Sequence, residues 1–488
     1  MLKSIFQTIC FSCISISCSY SQAPLIQWQK SYGGSGIYGD AGYSISQTTD
    51  GGYIVAGQSD SNDGDVSGNH GYNDAWVLKL DVNGAIQWQK SLGGSGWDGL
   101  SSVEQTSDGG YILTGATDSN DGDVSGNHGG GDVWIIKLDF IGNLLWQKTF
   151  GGSGDESANS IHQTLDGGYI VAGQSDSNDG DVSGNHGYND YWVIKLDVNG
   201  LLQWQKSLGG SSIAGNQSHS EGATSINQTT DGGYIVSGQS DSNDGDVTGH
   251  HGLYDAWIVK LNSTGIIQWQ KSLGGTSMDG ARSIKQTSDG GYIIAGGSNS
   301  NNGDVIGNHG NSDGWIVKLD INGAIQWQKS IGGSGDEELG SIQQTIDGGF
   351  VTSGMSDSND GDVSGNHGYL DSWLVKLDLN GNLLWQQSLG GSEDEVLGSL
   401  QQTFDGGFIT VGSSGSNDGD VSGNHGNSDV WVVKLNPEAV GFIEELNNPA
   451  VTCIKIMDIS GRETNFQINT LRFYQYNDGT VEKKVIIE

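Results

Sequence analysis

A histidine and an aspartate four residues apart recur seven times along this chain, first as His70 and Asp74 in the stretch GNHGYND. Such a pair is part of a hydrolytic triad, but no positioned Ser or Cys nucleophile accompanies it, and catalysis needs one site rather than seven. We therefore predict that Asp74 orients His70 by a hydrogen bond and secures a loop. The predicted structural pairs are His70 and Asp74, His128 and Asp132, His186 and Asp190, His251 and Asp255, His309 and Asp313, His367 and Asp371, and His425 and Asp429.

The loop that precedes each pair concentrates carboxylate and amide oxygens around a glycine turn, as in DSNDGD at 60–65. These are the ligands that Ca²⁺ prefers. Their order differs from that of an EF-hand, no Glu closes the loop, and Asn299 and Gly415 replace the first Asp in two copies. We prefer side chains that cap their own backbone and keep calcium as the alternative. The candidate calcium ligands are Asp60, Asn62, Asp65, Asp118, Asn120, Asp123, Asp176, Asn178, Asp181, Asp241, Asn243, Asp246, Asp357, Asn359 and Asp362.

The segments that join one copy of the repeat to the next differ from each other and are rich in acids. Paired carboxylates beside an exposed Trp suit a carbohydrate ligand, although charged residues are also common on ordinary protein surfaces. No residue is assigned a catalytic role. The candidate ligand-binding residues are Trp97, Asp98, Asp155, Glu156, His219, Glu221, Asp336, Glu337, Glu393 and Asp394.

The chain has 58 acidic and 21 basic residues and a net charge of −37, which opposes binding to nucleic acids and anionic membranes. Residues 1–21 combine Lys3, a mostly apolar run and the small-x-small triplet Ser19-Tyr20-Ser21, which predicts a signal peptide. Acylation at Cys18 is the alternative. No later apolar run approaches the ~20 residues of a membrane span, so we expect a secreted or outer-surface protein.

Two tryptophan series measure the repeat, with most spacings equal to 58 residues. Seven units of so long a period indicate a solenoid, a propeller or an array. One series is Trp28, Trp88, Trp146, Trp204, Trp269, Trp327 and Trp385; the other is Trp76, Trp134, Trp192, Trp257, Trp315, Trp373 and Trp431.

Each unit contains four short runs rich in β-branched and aromatic residues, which predict four strands. Asp50-Gly51 and Asn83-Gly84 favour two-residue hairpin turns, so each unit is predicted to be an antiparallel meander. This register places Lys79 opposite Trp88 and turns Trp76 to the other face, so we expect all fourteen repeat Trp in the core. The strands predicted in the first unit are 43–48, 52–57, 75–81 and 86–91.

The repeat is out of phase with the chain, because a lone last strand, 25–31, precedes the first unit and the seventh unit stops at its third strand, 430–435. In a closed ring the first strand completes the last sheet and removes its open edge. The strand order SIxQT, GGYIVAG, a Trp strand and an outer strand resembles that of WD-repeat and related propellers. The sequence therefore predicts an all-β, seven-bladed β-propeller over residues 22–436.

The predicted propeller has two different faces. The tight turns lie on one face, whereas the long loops, the blade connections and the insertion at 211–221 lie on the other, where we expect any binding surface. The inner-strand glutamines are expected to form hydrogen bonds between blades, with a central site as the alternative. These residues are Gln47, Gln105, Gln163, Gln228, Gln286, Gln344 and Gln402.

Residues 437–448 break the pattern and are predicted to be a linker to a small β module at 449–488. DISGR at 458–462, the aromatic strand 473–476 and the basic-apolar tail 483–487 resemble the C-terminal sorting domain of type IX secretion cargo. The resemblance implies passage through the outer membrane by the export machinery, with cleavage and surface attachment as a further step.

The function expected from these features is that of an exported binding or adhesion module for a glycan or a surface protein. A glycoside hydrolase or polysaccharide lyase that uses the acidic connections is one alternative, and a structural surface-layer component is another.

Overall fold

Twenty-eight strands form seven four-stranded antiparallel sheets in the computed structural model, which describes residues 22–211 and 221–438 and the strands 453–457, 471–476 and 481–485. The chain opens with β1 (Ile26–Tyr32). Blade 1 is β2 (Ala41–Gln47), β3 (Tyr53–Ser59), β4 (Asp74–Leu80) and β5 (Ile86–Leu92). Blade 2 is β6 (Asp98–Gln105), β7 (Tyr111–Thr117), β8 (Asp132–Leu138) and β9 (Leu144–Phe150). Blade 3 is β10 (Glu156–Gln163), β11 (Tyr169–Ser175), β12 (Asp190–Leu196) and β13 (Leu202–Leu208).

The remaining blades repeat this order. Blade 4 is β14 (Gly222–Gln228), β15 (Tyr234–Ser240), β16 (Asp255–Leu261) and β17 (Ile267–Leu273). Blade 5 is β18 (Asp279–Gln286), β19 (Tyr292–Ser298), β20 (Asp313–Leu319) and β21 (Ile325–Ile331). Blade 6 is β22 (Glu337–Gln344), β23 (Phe350–Ser356), β24 (Asp371–Leu377) and β25 (Leu383–Leu389). Blade 7 is β26 (Glu395–Gln402), β27 (Phe408–Ser414) and β28 (Asp429–Leu435), with β1 as its outer strand.

The first strand closes the ring. It pairs antiparallel with β28, so that Ile26 lies opposite Leu435 and Tyr32 opposite Val430. The inner strands β2 and β26 also lie side by side. The all-β, seven-bladed fold and its closure by the N-terminal strand are confirmed.

The hairpin turns have three residues, so the prediction of two-residue turns is wrong. Gly51 N–H donates to Thr48 O at 2.9 Å, and Thr48 N–H donates to Gly52 O at 2.9 Å. This pattern is a tight turn followed by one left-handed residue, and Gly51 supplies that residue with φ of 85°. The Asp81–Ala85 hairpin has the same pattern, with Gly84 at φ of 77°. The three-residue form needs only one left-handed residue and leaves the aspartate free to accept other hydrogen bonds.

Those hydrogen bonds tie the first turn of each blade to a buried lysine. Lys79 Nζ lies 2.9 Å from Asp50 Oδ2 and 3.0 Å from the carbonyl oxygen of Leu80. Corresponding ion pairs join Lys137 to Asp108, Lys195 to Asp166, Lys260 to Asp231, Lys318 to Asp289, Lys376 to Asp347 and Lys434 to Asp405. Burial raises the pKa of Asp231, but hydrogen bonds from Thr229, Gly233 and Lys260 outweigh it and lower that pKa to about 2.

The hydrophobic core lies between blades rather than within them. Trp76 of blade 1 is 1% exposed and packs with Val411, Val430 and Val432 of blade 7. Lys79 lies opposite Trp88, so the predicted register is confirmed. The third-strand Trp are all buried, as predicted, whereas the outer-strand Trp are partly buried except for buried Trp385. Each outer Trp contacts the next blade edge-to-face, as when Trp28 lies 5.9 Å from Tyr53.

The chain divides into two compact units between residues 438 and 439. In the second unit, β29 (Cys453–Met457), β30 (Leu471–Tyr476) and β31 (Val481–Val485) form an antiparallel sheet in that order. The predicted leader 1–21, most of the linker 437–448 and the predicted turns of the C-terminal module lie outside the described residues. No helix of membrane-spanning length and apolarity occurs in the described part of the chain.

Candidate functional site

A cavity of about 430 Å³ lies on the axis of the ring, at the end where the inner strands begin. Each inner strand has a β-bulge after its second or third residue, and the bulged residue lines this cavity in all seven blades. Because a bulged residue has no direct partner on the neighbouring strand, its side chain is free to face the axis. These seven residues, here named the bulge ring, are Tyr43, Ser101, Asn159, Thr224, Arg282, Gly340 and Gly398.

The cavity is the mouth of a central channel and opens on the face that bears the long loops. Its wall has two exposed aromatic side chains, Tyr43 at 45% and Trp97 at 38% exposure. Trp97 comes from the connection between blades 1 and 2, as the sequence predicted, and its ring lies over Gly99. A Cβ at Gly99 would meet Trp97 Cζ2 at 2.9 Å and Gln58 Oε1 at 3.0 Å, so a larger residue here would displace one of these two side chains.

Arg282 is the cationic member of the bulge ring. Its Nε–H donates to Glu338 Oε1 at 2.5 Å, and the side chain is half exposed. Arg282 and Glu338 also line an adjoining groove of about 310 Å³ with Tyr254, Met278 and Asn299. The guanidinium therefore borders both the channel mouth and the groove beside it.

A second set of polar residues lies further along the inner strands, three positions after the bulge. His162 Nδ1 is 2.8 Å from Glu104 Oε2, and Lys285 Nζ donates to Asn227 Oδ1 at 2.9 Å. Burial lowers the pKa of Lys285, and the carboxylate of Glu104 opposes this shift. The channel thus carries charged groups that differ from blade to blade.

Invariant residues next to these positions connect the inner strands to each other. Ser44 Oγ accepts a hydrogen bond from Val103 N–H at 3.1 Å, and the same serine bond recurs around the ring. Gln105 Oε1 accepts from Thr49 N–H at 2.8 Å. The predicted inter-blade role of the glutamines is confirmed, because all seven make this bond.

Four of the acids predicted to bind a ligand lie at the start of an inner strand or directly before it and are buried: Asp98, Glu156, Glu221 and Glu337. In Asp98, Oδ2 accepts hydrogen bonds from Gly94 N–H and Ser119 Oγ at 2.8 Å each. Asp40, Asp279 and Glu395 occupy the same position in the other blades and are also buried. The position is thus acidic in every blade, and these side chains face the protein interior rather than solvent.

Glu221 has the largest resolved shift among these acids. Burial raises its pKa to about 7, against hydrogen bonds from Ser240, Ser242 and Gly210, and the negative charge of Asp190 adds to the increase. Glu221 and Asp190 both lie close to Gly209, since a Cβ there would overlap an oxygen of each carboxylate. The same arrangement of two acids around a glycine occurs at each blade junction, as with Asp98 and Asp74 at Gly93.

The remaining predicted ligand residues lie apart from the channel mouth, except for Trp97. Asp155, Asp336, Glu393 and Asp394 are exposed on the blade connections. Glu393 and Asp394 line a separate cavity of about 490 Å³, whose other lining residues belong to blade 7. His219 lies outside the described residues.

The seven His–Asp pairs lie at the junctions between blades. His70 Nδ1 is 2.6 Å from Asp74 Oδ2, and His70 N–H donates to the same oxygen at 3.0 Å. Asp74 is fully buried at the start of the third strand, whereas the His ring is partly exposed. Burial raises the pKa of Asp74 against the hydrogen bonds from His70. The other six pairs have the same short contact.

The oxygen-rich loops direct several of their acceptors at backbone N–H groups. Asn62 Oδ1 accepts from Gly68 N–H at 3.1 Å, and Asp60 Oδ2 accepts from Ile37 and Tyr38 N–H at 2.7 and 2.9 Å. Asn120, Asn178 and Asn359 repeat the first of these bonds. Within residues 22–211 and 221–438, His, Cys, Asp and Glu side chains form no group of three positioned to hold a metal ion. Calcium binding by these loops stays a prediction.

Tyr43, Arg282 and Lys285 were not among the predicted site residues. A comparison of the seven copies would have indicated them, because Arg282 is the only arginine in residues 22–438 and the bulge position differs among most blades. The bulge itself, which turns this position towards the axis, has no marker in the sequence.

No family model matches this chain, and no curated protein matches it. Among solved structures it is similar to Sqt1 from Chaetomium thermophilum, with 12% identity, a TM-score of 0.41 and coverage of 84% of this chain and 100% of the other. It is also similar to puromycin hydrolase, with 12% identity, a TM-score of 0.47 and coverage of 93% of this chain and 62% of the other. The class defined by the architecture itself is the seven-bladed β-propeller.

Proposed function

We propose that this protein is a binding module whose ligand occupies the mouth of the central channel. The observation that supports the proposal is the contrast between an almost invariant framework and a bulge ring that varies. Seven copies keep the same turn ion pairs, glutamine bonds and His–Asp pairs, yet the bulge ring ranges from glycine to tyrosine and arginine. Residues that vary around one cavity while the framework stays constant are typical of recognition rather than of stability.

A glycan is the ligand class that this mouth suits best. Exposed Tyr43 and Trp97 offer flat apolar faces, and Ser101 adds a hydroxyl group. Asn159 and Thr224 add oxygens that can accept hydrogen bonds, while Asn159 Nδ2 donates to Ala223 O and Thr224 Oγ1 donates to Ala281 O. This combination of aromatic surface and convergent neutral polar groups matches a sugar ring, which has both apolar C–H faces and hydroxyl groups. A surface protein that inserts a loop into the mouth is the alternative ligand.

The export route rests on the sequence alone. The leader at 1–21 and the resemblance of 449–488 to a type IX sorting domain support secretion, with delivery to the medium or the outer cell surface. Within the propeller, the chain ends on the tight-turn face, where Glu438 Oε1 accepts from Trp385 Nε1 at 2.8 Å. The channel mouth lies on the opposite face of the propeller from this exit point.

A glycan array probed with residues 22–488 tests the binding function. We expect retention of a restricted set of glycans, and loss of that retention in Trp97→Ala. Tyr72→Ala is the matched control, because Tyr72 is an exposed aromatic residue on a long loop away from the channel. An array without bound glycans, or binding that Trp97→Ala leaves unchanged, would contradict a glycan site at the mouth.

The cavity lined by Glu393 and Asp394 supports the hydrolase alternative, because two adjacent exposed carboxyl groups border a space of about 490 Å³. The array glycans should therefore also be incubated with the protein and assayed for new reducing ends. Release that disappears in Glu393→Gln would favour catalysis at this cavity over simple binding. A surface-layer role without a small ligand predicts neither retention nor release.

A further inference from the structure

The positive charges of the propeller fall into two repeated sets and two exceptions. Seven lysines make the turn ion pairs, and six lie on outer strands at the position of Lys329. The two that belong to neither set are Arg282 and Lys285, the only other Lys or Arg in residues 22–438. Both are on β18 and both lie along the channel.

Arg282 presents one edge of its guanidinium to the protein and leaves the rest available. In the part of the chain that the structure describes, its only hydrogen bond runs from Nε to Glu338, so the two terminal amino groups have no partner. Glu338 thereby fixes the plane of the guanidinium at the mouth. Two parallel N–H donors in one plane match the two oxygens of a carboxylate or sulfate group.

The charges around this group leave no excess of positive charge that would attract an anion from a distance. Glu338 at the mouth and Glu104 deeper in the channel offset the charges of Arg282 and Lys285. Buried Asp279 also lies at the start of the same strand. The net charge of −37 repels polyanions from the rest of the surface. An acidic ligand would therefore be held by local hydrogen bonds at Arg282 rather than by a general attraction.

We infer that the ligand is an acidic saccharide, whose carboxylate or sulfate group binds the terminal amino groups of Arg282 while its ring contacts Trp97 and Tyr43. The inference rests on the proposed function, since it names the ligand class of the same mouth. The aromatic residues supply the surface for the sugar ring from blades 1 and 2, and Arg282 supplies the anion contact from blade 5. The groove beside Arg282 gives room for the next sugar of a chain.

Three oligosaccharides with related rings test the inference: a galactose oligomer that ends in one galacturonate, the same oligomer with one sulfate group instead, and the uncharged galactose oligomer. Their affinities for residues 22–488 are measured by calorimetry at about 0.15 M salt, where charges beyond ~8 Å are screened. We expect the carboxylated or the sulfated ligand to bind more tightly than the uncharged one. Comparison of the carboxylated ligand with the sulfated ligand also shows which of the two anionic groups the mouth prefers.

The decisive variant is Arg282→Thr, because Thr224 occupies the same bulge position in blade 4 and the fold accommodates it there. We expect it to weaken binding of the acidic ligand roughly 10- to 100-fold, the range for hydrogen bonds to a charged group, and to leave the uncharged ligand unaffected. Lys329→Gln is the matched control, since it removes one charge from the outer strand of the same blade and Gln387 occupies that position in blade 6.

Equal wild-type affinity for all three oligosaccharides would overturn the inference, as would unchanged binding by Arg282→Thr. An equal loss in Lys329→Gln would also overturn it, because the effect would then depend on total charge. If the wild type still binds glycans and Trp97→Ala abolishes that binding, the proposed function stands even when the inference about the acidic ligand fails. No binding of these three oligosaccharides would overturn the inference alone, whereas no retention of any glycan on the array would also contradict the proposed glycan site.

Discussion

At the scale of single residues, carboxylate side chains serve two different purposes in this chain. Acids at the start of inner strands occur in the variable connections, yet the structure buries them and bonds them to serine hydroxyls and glycine N–H groups. Exposed acids such as Asp155 and Asp336 lie one residue earlier. A shift of one residue along the chain therefore separates framework carboxylates from surface carboxylates, because side chains alternate along a strand.

Glu221 gives the protein a measurable pH dependence. Its pKa is raised to about 7 in the folded protein, so ionisation of Glu221 destabilises the fold. The stabilisation contributed by the protonated carboxyl group is complete below about pH 4.5 and is lost as the pH rises through about 7. Between pH 4.5 and 8, this effect should lower the unfolding free energy of the wild type by on the order of 3 kcal/mol. Glu221→Gln should lack that part of the decrease, because glutamine does not ionise. Urea unfolding across that range measures it. Parallel pH profiles for the variant and the wild type would contradict the burial of an ionisable carboxyl group here.

His70→Ala tests the structural role of the His–Asp pairs. The variant leaves fully buried Asp74 without its ring partner, so we expect a loss of about 1–3 kcal/mol in unfolding free energy and no change in glycan binding. His309→Ala removes the equivalent pair in blade 5, and the two losses should add because the sites share no partners. Normal stability with altered ligand binding would instead indicate a functional role for the pair.

At the scale of elements, the hairpin turns and the inner-strand bulges decide what each blade does. Asp-Gly and Asn-Gly dipeptides locate the turns in the sequence, although their length depends on hydrogen bonds that the dipeptide does not specify. The bulge is harder to predict, since a strand such as DGARSIKQ alternates acceptably with or without it. Only the pairing with the second strand shows that Arg282 is the extra residue.

Two glycine substitutions in blade 1 separate backbone strain from close packing. Gly51 has φ of 85° and open space where a Cβ would stand, so Gly51→Ala should cost only about 1–2 kcal/mol of left-handed strain. Gly57 lies in a strand, where a Cβ would overlap the carbonyl oxygen of Ala41. Gly57→Ala should therefore cost more, about 4 kcal/mol or above. Chemical unfolding of both variants measures the difference, and equal losses would contradict the close approach of β2 and β3.

At the scale of the whole molecule, ring closure depends on a strand that is far away in sequence. β1 completes blade 7, and Trp431 Nε1–H donates to Gln29 Oε1 at 2.9 Å across that seam. The fold was predictable from the sequence because one strand precedes the first repeat and one strand is missing from the last. A closed ring pairs these two ends, whereas an open stack would leave them unpaired. The site was only partly predictable: Trp97 stands outside both Trp series, whereas Tyr43 and Arg282 depend on where the seven inner strands meet.

Deletion of residues 22–32 should open the ring. The edge of β28 would lose its partner, and Tyr53 would lose its contact with Trp28, so we expect faster proteolysis and self-association. Size-exclusion chromatography and limited trypsin digestion measure both effects. Removal of 439–488 is the control and should leave the propeller monomeric and resistant, because that segment belongs to the second compact unit. A monomeric, resistant protein after the first deletion would show that closure is dispensable.

The bulge ring also bears on how new specificities arise in such a chain. A residue without a cross-strand partner makes few packing contacts, so its replacement disturbs the ladder on either side very little. Seven such positions surround one cavity and already hold six different amino acids. Randomising these seven codons would therefore give a library of candidate receptors that differ at one cavity and share the rest of the scaffold.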